Sequence, residues 1–320
     1  MGEGIKGLTL LGEAQGTTYT IIVAEEDCSL TNEPIDSILH AFDLELSTYV
    51  DNSTITQIND ASSEFQLPAN QKHFVPVFQL SQHVNFITNG AFDASVFPLV
   101  EGWGFMKNMQ TPLEQKSIDS ILEFVGMQRQ FRLENNDTYI YKTDSRAKLD
   151  FNAIAQGYAI DVLDKYIHSR GIENYYLELG GELIVRGKNR EGNPWSIGID
   201  SPEQRDNERV LENVIYLSDV AIATSGNYRK FYEVDGIRYA HTLNPKTGKP
   251  VQHSLLSATV VAPSCAMADG LATAFMVMGT EQTLKFAESQ EGVEVYLLEA
   301  KDDGGFDRIM TKGFEAFLKE

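Results

Sequence analysis

Asp269 and Thr273 stand four residues apart in an otherwise apolar stretch, SCAMADGLATAFMVMG, at residues 264–279. At 100° per residue both side chains fall on one face of a helix, among small apolar neighbours rather than Lys or Glu. A buried carboxylate is costly unless it is paired or bound to a cation, and carboxylate and hydroxyl oxygens suit Mg²⁺. A surface-facing pair, or a local hydrogen bond, explains the spacing equally well.

A second stretch, KLDFNAIAQGYAIDVLDKY at residues 148–166, predicts a helix with one unusually slim end. Its small residues are Ala153, Ala155, Gly157 and Ala159. Small side chains allow another backbone or a ligand to come close, so the pattern indicates either tight helix packing or a binding site. Asp150, just before the helix, is either an acid of the capping region or an acceptor for a ligand.

Three weaker signals accompany these helices. Gly180-Gly181 between two apolar runs indicates a bulge or a close backbone approach. Residues 224–226 offer backbone N–H groups that could face an anion at a strand end. His241 follows a predicted hairpin, although a lone histidine is more often structural than catalytic. The sequence contains no CxxC pair, no GxGxxG fingerprint and no Walker loop.

The elements that must position these residues alternate between helical and strand patterns. Apolar spacing predicts helices over 32–49, 76–90, 152–168 and 264–279, and strands over 17–24, 255–262 and 294–300. Residues 175–188 indicate two strands joined at Gly180-Gly181, and Asp235-Gly236 predicts a hairpin turn within 231–241. With no repeat and no linker, the pattern favours one compact α+β unit over residues 1–320, built of two lobes with mixed, largely antiparallel sheets.

Composition limits the function classes. The net charge of −20 argues against nucleic acid or anionic lipid as the main partner, because those partners require basic surfaces. An acidic protein needs backbone donors, a few placed bases or a metal ion to hold a polyphosphate. Two cysteines are too few for a disulfide framework, and no run of 18 apolar residues predicts a membrane span.

These segments, in this order, resemble the ApbE family of flavin transferases. The similar blocks are GEAQGTTYTI, LSTYVDNSTITQIN, TNGAFDASVFPLVEGWGF, LDFNAIAQGYAID, LELGGEL, ATSGNYRKFYEVDGIRYAHTLNPKTGKPV and CAMADGLATAFMVMG. The resemblance implies an ApbE-like fold and a Mg²⁺-dependent enzyme with FAD as substrate. It implies transfer of FMN to a threonine hydroxyl of an acceptor flavoprotein, typically a subunit of a membrane redox complex, with release of AMP.

The resemblance also implies roles for individual residues. The metal ligands carry over to the Asp269 and Thr273 side chains and the Ala153 carbonyl. The candidate catalytic residues are Asp269 and His241, and we expect either His241 or a carboxylate near the metal to accept the proton of the threonine hydroxyl. The FAD contacts carry over to Gln15, Tyr49, Ala91, Phe92, Asp93, Asp150, Gln156 and Thr242. Among these, the two aromatic rings suit stacking on FAD or walling its pocket, and the two carboxylates suit accepting from ribose or ring N–H groups.

Several points stay open or depart from the family pattern. Ala266, Gln156, Asn244 and Gln15 stand where other residues are usual in the family, which affects the expected FAD affinity more than the reaction. A Mg²⁺-dependent FAD pyrophosphatase and a non-catalytic FAD-binding protein are the alternatives. The family resemblance predicts a lipoprotein of the cell envelope whose signal has been trimmed, with a cytoplasmic form as the alternative, and residues 1–12 as a poorly ordered leader or cloning remnant.

Overall fold

The computed structural model of the chain describes residues 7–25, 29–105, 112–202, 210–227, 231–234, 237–302 and 304–318. The helices of these residues are α1 (Asn32–Leu46), α2 (Thr54–Asp60), α3 (Phe74–Ile87), α4 (Phe97–Gly102), α5 (Gln115–Leu122), α6 (Met127–Gln130), α7 (Ala155–Ser169), α8 (Cys265–Met278) and α9 (Thr280–Ala287). A short 3₁₀ helix covers Phe314–Leu318.

The strands of the described residues are β1 (Thr9–Ala14), β2 (Thr17–Val23), β3 (Glu64–Gln66), β4 (Phe131–Glu134), β5 (Tyr139–Lys142), β6 (Tyr175–Leu179), β7 (Glu182–Arg186), β8 (Trp195–Asp200), β9 (Leu211–Leu217), β10 (Val220–Gly226), β11 (Phe231–Val234), β12 (Ile237–Ala240), β13 (Leu243–Asn244), β14 (Lys249–Pro250), β15 (Leu255–Ala262), β16 (Glu294–Ala300) and β17 (Phe306–Met310).

An antiparallel sheet of eight strands, in the order β1-β2-β6-β7-β10-β15-β16-β17, carries both large cores. Alternate residues of a strand point to opposite faces, so a sheet covered on both sides needs nearly continuous apolar strands. In β7, Ile184 belongs to the core under α7 and α8, whereas its neighbours Leu183 and Val185 belong to the core under β8, β9 and the 3₁₀ helix. In β15, Val260 and Val261 divide between the two cores in the same way.

The predicted elements are present, and the observed architecture confirms the α+β class with largely antiparallel sheets. β15 and β16 have the predicted bounds, and β11 pairs with β12, although the predicted Asp235-Gly236 turn lies outside the described residues. The third helix begins at Ala155 rather than Asn152, because residues 152–154 form a turn. The prediction of a poorly ordered leader over residues 1–12 is wrong from residue 9 onward: Thr9–Ala14 forms β1 and pairs in full register with β2.

Helices α7 and α8 pack backbone to backbone at Gly157. A β-carbon at this position would lie 2.4 Å from the Cys265 carbonyl oxygen and 2.8 Å from the Ala266 Cα. Only a residue without a side chain allows this approach, which explains the small residues along the first turns of α7. The slim helix end therefore serves helix packing, and it fixes the position of α8 on the sheet.

We expect Gly157→Ala to destabilise the protein by about 1–3 kcal/mol, because the clash is with backbone atoms that cannot turn aside. Gly270→Ala is the matched control at the same interface. Its β-carbon would meet only the side-chain tips of Ile154, at 3.2 Å, and Val84, at 3.4 Å. The better helix propensity of alanine should keep this control within about 1 kcal/mol of the parent. Urea unfolding measures both, and equal losses would contradict the backbone-contact explanation.

Candidate active site

A cavity of about 1280 Å³ opens where the starts of α7 and β7 meet α8 and the end of β10. It brings together eleven of the twelve residues expected at the site, which are Tyr49, Ala91, Phe92, Asp93, Asp150, Ala153, Gln156, His241, Thr242, Asp269 and Thr273. Gln15 is not among the lining residues of the described chain. It occupies the turn between β1 and β2 with a φ of 52°.

Asp269 is buried in α8 and is only 6% exposed. Its Oδ2 accepts a hydrogen bond from the backbone N–H of Gly157 at 3.1 Å, so the close approach of α7 also supplies a donor to the carboxylate. Burial raises the pKa of Asp269 to about 7, although the hydrogen bond from the Gly157 N–H lowers this pKa in part. The surface-facing alternative for Asp269 is therefore wrong. The helix is buried nearly all the way round.

The N-terminus of α8 is held by a second acid, the half-buried Asp161. The Asp161 carboxylate, from α7, accepts the backbone N–H groups of Cys265 at 2.7 Å and Ala266 at 3.0 Å, while Ser264 Oγ accepts that of Met267 at 3.3 Å. Burial raises the pKa of Asp161 to about 6, and its negative charge in turn raises the pKa of Asp269. Ser264 is the N-cap residue of α8, and α7 both positions α8 and places a second negative charge near Asp269.

One hydroxyl group of β10, that of Ser225, faces α8 near Thr273. Thr273 Oγ1 lies 3.3 Å from Ser225 Oγ, one turn of helix beyond Asp269. Thr224 Oγ1 lies 2.8 Å from Thr259 Oγ1 across the β10–β15 pair. Ser225 therefore contributes a side-chain oxygen, in addition to the backbone N–H that the sequence predicts could face an anion.

Glu182 is a site residue that the sequence reasoning missed. It begins β7 directly after Gly180 and Gly181, lines the cavity, and has one carboxylate oxygen, Oε2, that is buried without a hydrogen-bond partner. Burial raises the pKa of Glu182 well above its ordinary value, and the nearby Asp269 raises it further. The available signal was an acid placed immediately after a Gly-Gly turn, where the backbone comes close to the site.

The Asp93 carboxylate serves the scaffold. Its oxygens accept the Ser95 N–H at 2.8 Å and hydroxyl at 2.6 Å, the Met127 N–H at 3.0 and 3.1 Å, and the Asn85 side-chain amide at 3.1 Å. Burial nevertheless raises its pKa. With these bonds made, Asp93 fixes the cavity wall at residues 91–96 rather than offering a free acceptor to a ligand.

Asp150 keeps more of its predicted role. It is half-buried at the cavity wall, and its oxygens accept only the backbone N–H of Asn152 at 2.8 Å and the Asn152 amide at 3.2 Å among the described residues. Burial raises the pKa of Asp150 to about 6. Its carboxylate bonds within the turn at Asn152, ahead of Ile154, which is the N-cap residue of α7 and has no side-chain cap, and Asp150 also borders the cavity.

The two aromatic residues stand at opposite depths. Tyr49 is 69% exposed at the rim, whereas Phe92 is 2% exposed and closes the inner wall. The Gln156 amide nitrogen packs against Gly180, because a β-carbon there would lie 2.8 Å from it. This contact and the φ of +68° at Gly180 both require glycine at the first turn position.

His241 and Thr242 reach the cavity on a braced segment. Thr242 Oγ1 donates to Asn227 Oδ1 at 2.7 Å, and the Thr242 carbonyl accepts the Val251 N–H at 3.0 Å. Trp103 Nε1 donates to the Gly248 carbonyl at 2.8 Å and anchors the same segment to α4. Half-buried His241 lines the cavity directly before this anchored segment.

Among the described residues, the charged side chains that line the cavity are acidic. Six carboxylate residues line it, namely Asp93, Asp150, Glu178, Glu182, Asp200 and Asp269, whereas the lining contributed by the described residues contains no Lys or Arg. No group of three His, Cys, Asp or Glu side chains converges as a ready metal centre among those residues. A polyphosphate can therefore bind here only with an added cation or with backbone donors.

Comparison with known proteins gives a family match. Residues 15–297 match the model of the ApbE family. A relative from Vibrio cholerae, an FAD:protein FMN transferase, is 34% identical over 317 residues, covering 97% of this chain and 92% of the relative. The FAD:protein FMN transferase of Escherichia coli (strain K12) is 33% identical over 316 residues, covering 97% of this chain and 88% of that protein.

Solved structures agree over nearly the whole chain. The flavin transferase ApbE from Vibrio cholerae is similar with a TM-score of 0.86 and 33% identity, covering 98% of this chain and 99% of that one. The Pseudomonas stutzeri flavinyl transferase ApbE, in its apo form, gives a TM-score of 0.85 and 30% identity, covering 98% of this chain and 97% of that one. Within the described residues, no helix has the length and apolar character that crossing a membrane requires.

We expect the cation-free protein to lose stability as the pH rises from about 4 to about 7, because the folded state holds the Asp269 proton up to about pH 7 and the unfolded state releases it near 3.8. Asp269→Asn should reduce this dependence, although Asp150 and Asp161 still contribute to it, and should leave the variant more stable than the parent at pH 8 by on the order of 2–4 kcal/mol. Urea unfolding in EDTA at several pH values measures the effect.

Asp144→Asn is the control for this titration. The hydrogen bond from Arg146 lowers the pKa of Asp144 to about 2, so its contribution is lost only in acid and the slope between pH 5 and 8 should not change. A parent protein whose stability rises over that range, or an Asp269→Asn variant with the parental slope, would contradict the burial of a raised-pKa carboxyl group.

Proposed function

The chain belongs to the ApbE family and is a flavin transferase, and from this we propose that it moves FMN from FAD to a threonine hydroxyl of an acceptor flavoprotein in a Mg²⁺-dependent reaction that releases AMP. The observation that carries the finer proposal is the buried Asp269 carboxylate in a cavity whose described lining has no Lys or Arg. An accompanying cation would offset the repulsion between this acidic site and a diphosphate.

The residues present fit a hard divalent cation. Asp269 and Thr273 present a carboxylate and a hydroxyl one helical turn apart, Ala153 lines the same cavity on the turn before α7, and Glu182 has an orphaned buried oxygen. We assign the cation to the Asp269 and Thr273 side chains and the Ala153 carbonyl, because Mg²⁺ prefers oxygen ligands and retains waters and phosphate oxygens in its shell. Bound there, Mg²⁺ would neutralise charge on the FAD diphosphate.

The protein's own groups then hold and orient FAD. Tyr49 at the rim offers a ring face, and Asp150 offers carboxylate oxygens to ribose or ring N–H groups. The hydroxyl proton of Thr242 is donated to Asn227, which fixes this residue at the cavity wall, and the backbone N–H of Gly226 can donate to phosphate oxygens. Positioning of this kind accounts for most of the catalysis in phosphoryl transfer, because little covalent chemistry is left to the protein.

The chemical step is an in-line displacement at phosphorus. The acceptor threonine oxygen forms a bond to the FMN phosphorus while the bond from that phosphorus to the bridging diphosphate oxygen breaks, and AMP leaves with the electron pair. The threonine hydroxyl proton must pass to a base. We assign this role to His241, whose half-buried ring lines the cavity.

Water can replace threonine in the same displacement, which would make the protein an FAD pyrophosphatase giving FMN and AMP. A non-catalytic FAD-binding protein would need no cation site, and the buried Asp269 argues against it. The family resemblance alone supports an acceptor in a membrane redox complex and a place in the cell envelope, and both stay predictions.

The test is to incubate the protein with FAD, MgCl₂ and a purified acceptor flavoprotein subunit, and then to weigh the acceptor and map the modified residue. An added FMN on a threonine, with AMP in equal amount, supports the proposal. Free FMN and AMP with an unmodified acceptor support hydrolysis, and unchanged FAD supports storage. Asp269→Ala should leave the acceptor unmodified, and transfer at the parental rate in EDTA would refute the cation site.

We expect His241→Ala to lower the rate of FMN transfer about 10²–10⁴-fold, which is the usual contribution of a general base. Affinity for FAD, measured by fluorescence titration, should change little, because the ring is assigned to proton transfer rather than to binding. Partial recovery of the rate with added imidazole would support that assignment. Parental turnover by a correctly folded variant would remove His241 from the mechanism.

A further inference from the structure

We propose that Glu182 is a second carboxylate of the cation site and holds the bound Mg²⁺, or one of its coordinated waters, opposite Asp269. The inference rests on the proposed function, since it concerns the same cation. Its support comes from the chain position of Glu182, from the hydrogen bonds of its neighbours and from its unpartnered oxygen.

The fold delivers Glu182 to the cavity by a fixed turn. Gly180 and Gly181 have φ values of +68° and +115°, and the Gly181 N–H donates to Glu178 Oε1 at 2.8 Å. β7 pairs with β10 up to Leu183 opposite Ile222, which brings Glu182 beside the length of β10 that leads to Ser225. Because α8 packs on β7 and β10, the Glu182 and Asp269 carboxylates approach the cavity from two walls.

The hydrogen-bond inventory shows what Glu182 lacks. A buried carboxylate oxygen needs a donor or a cation, yet Glu182 Oε2 is buried without any hydrogen-bond partner. Other acids of the region are satisfied by the scaffold: Asp161 by two N–H groups of α8, and Asp93 by Ser95, Met127 and Asn85. Oε2 of Glu182 has no such donor, and the negative charge of Asp269 lies nearby.

A divalent cation resolves both features at once. A bound cation would be coordinated by Oε2, which has no hydrogen-bond partner, and would offset the repulsion between two neighbouring carboxylates. A purely structural role does not explain the position, because a glutamine or an apolar residue would cost less to bury there. The geometry therefore makes Glu182 a positioning group for the cation rather than a hydrogen-bonding member of the scaffold.

The test measures Mg²⁺ binding to the cation-stripped protein by isothermal titration calorimetry, without FAD or acceptor. Glu182→Gln keeps the shape and removes the charge, and we expect it to weaken Mg²⁺ binding about 10- to 100-fold, as the loss of a group supporting a metal does. Glu178→Gln is the matched control: it removes the same charge from the same cavity, and its Oε1 can still accept the Gly181 N–H. It should change the Mg²⁺ affinity less than about threefold.

The outcomes separate the two proposals. If the parent binds Mg²⁺ and Glu182→Gln binds it equally well, or if both variants lose affinity equally, the role of Glu182 is refuted while the cation site stands. If the parent does not bind Mg²⁺, the cation part of the proposed function fails first. Thermal unfolding of the stripped variant checks the fold: Glu182→Gln should unfold at the parental temperature or above, with a smaller rise on adding MgCl₂.

Discussion

The hydrogen bond from the Gly157 N–H to the Asp269 carboxylate is the constraint on which the site depends. It exists only because Gly157 has no side chain, so that α7 and α8 touch through their backbones. The same approach lets Asp161 of α7 hold the first N–H groups of α8. One packing contact therefore sets the depth of Asp269, its single described donor and the position of the small residues beside it.

That arrangement concentrates charge in a place of low polarity. Burial raises the pKa of Asp150 and Asp161 to about 6 and that of Asp269 to about 7. An apolar helix of the same shape would pack as well and would give a larger free energy of unfolding, since buried carboxyl groups lower stability once they ionise. Asp161 is used by the fold, because it accepts two N–H groups of α8, whereas the burial of Asp269 is better explained by a bound cation.

The sequence predicted those features that follow from local periodicity and from family resemblance. Alternating and helical patterns predicted α7, α8, β15 and β16. The segments that resemble the ApbE family contain most of the residues that line the cavity. Gln15 is not among the described residues that line the cavity; it lies in the turn between β1 and β2. The hydrogen bonds that satisfy Asp93 come from residues up to 34 positions away, so no local pattern could show that its carboxylate is already used.

Glu182 illustrates the same limit from the opposite side. A single acid after Gly-Gly is unremarkable as a sequence signal, and its chemistry appears only when β7 is paired with β10 and covered by α8. The orphaned oxygen is then a property of three elements together. Because ligand binding to the folded state adds to stability, a cation shared by Asp269 and Glu182 would relieve the cost that these acids impose on the empty fold. Stability and substrate binding are in this way coupled through one ion.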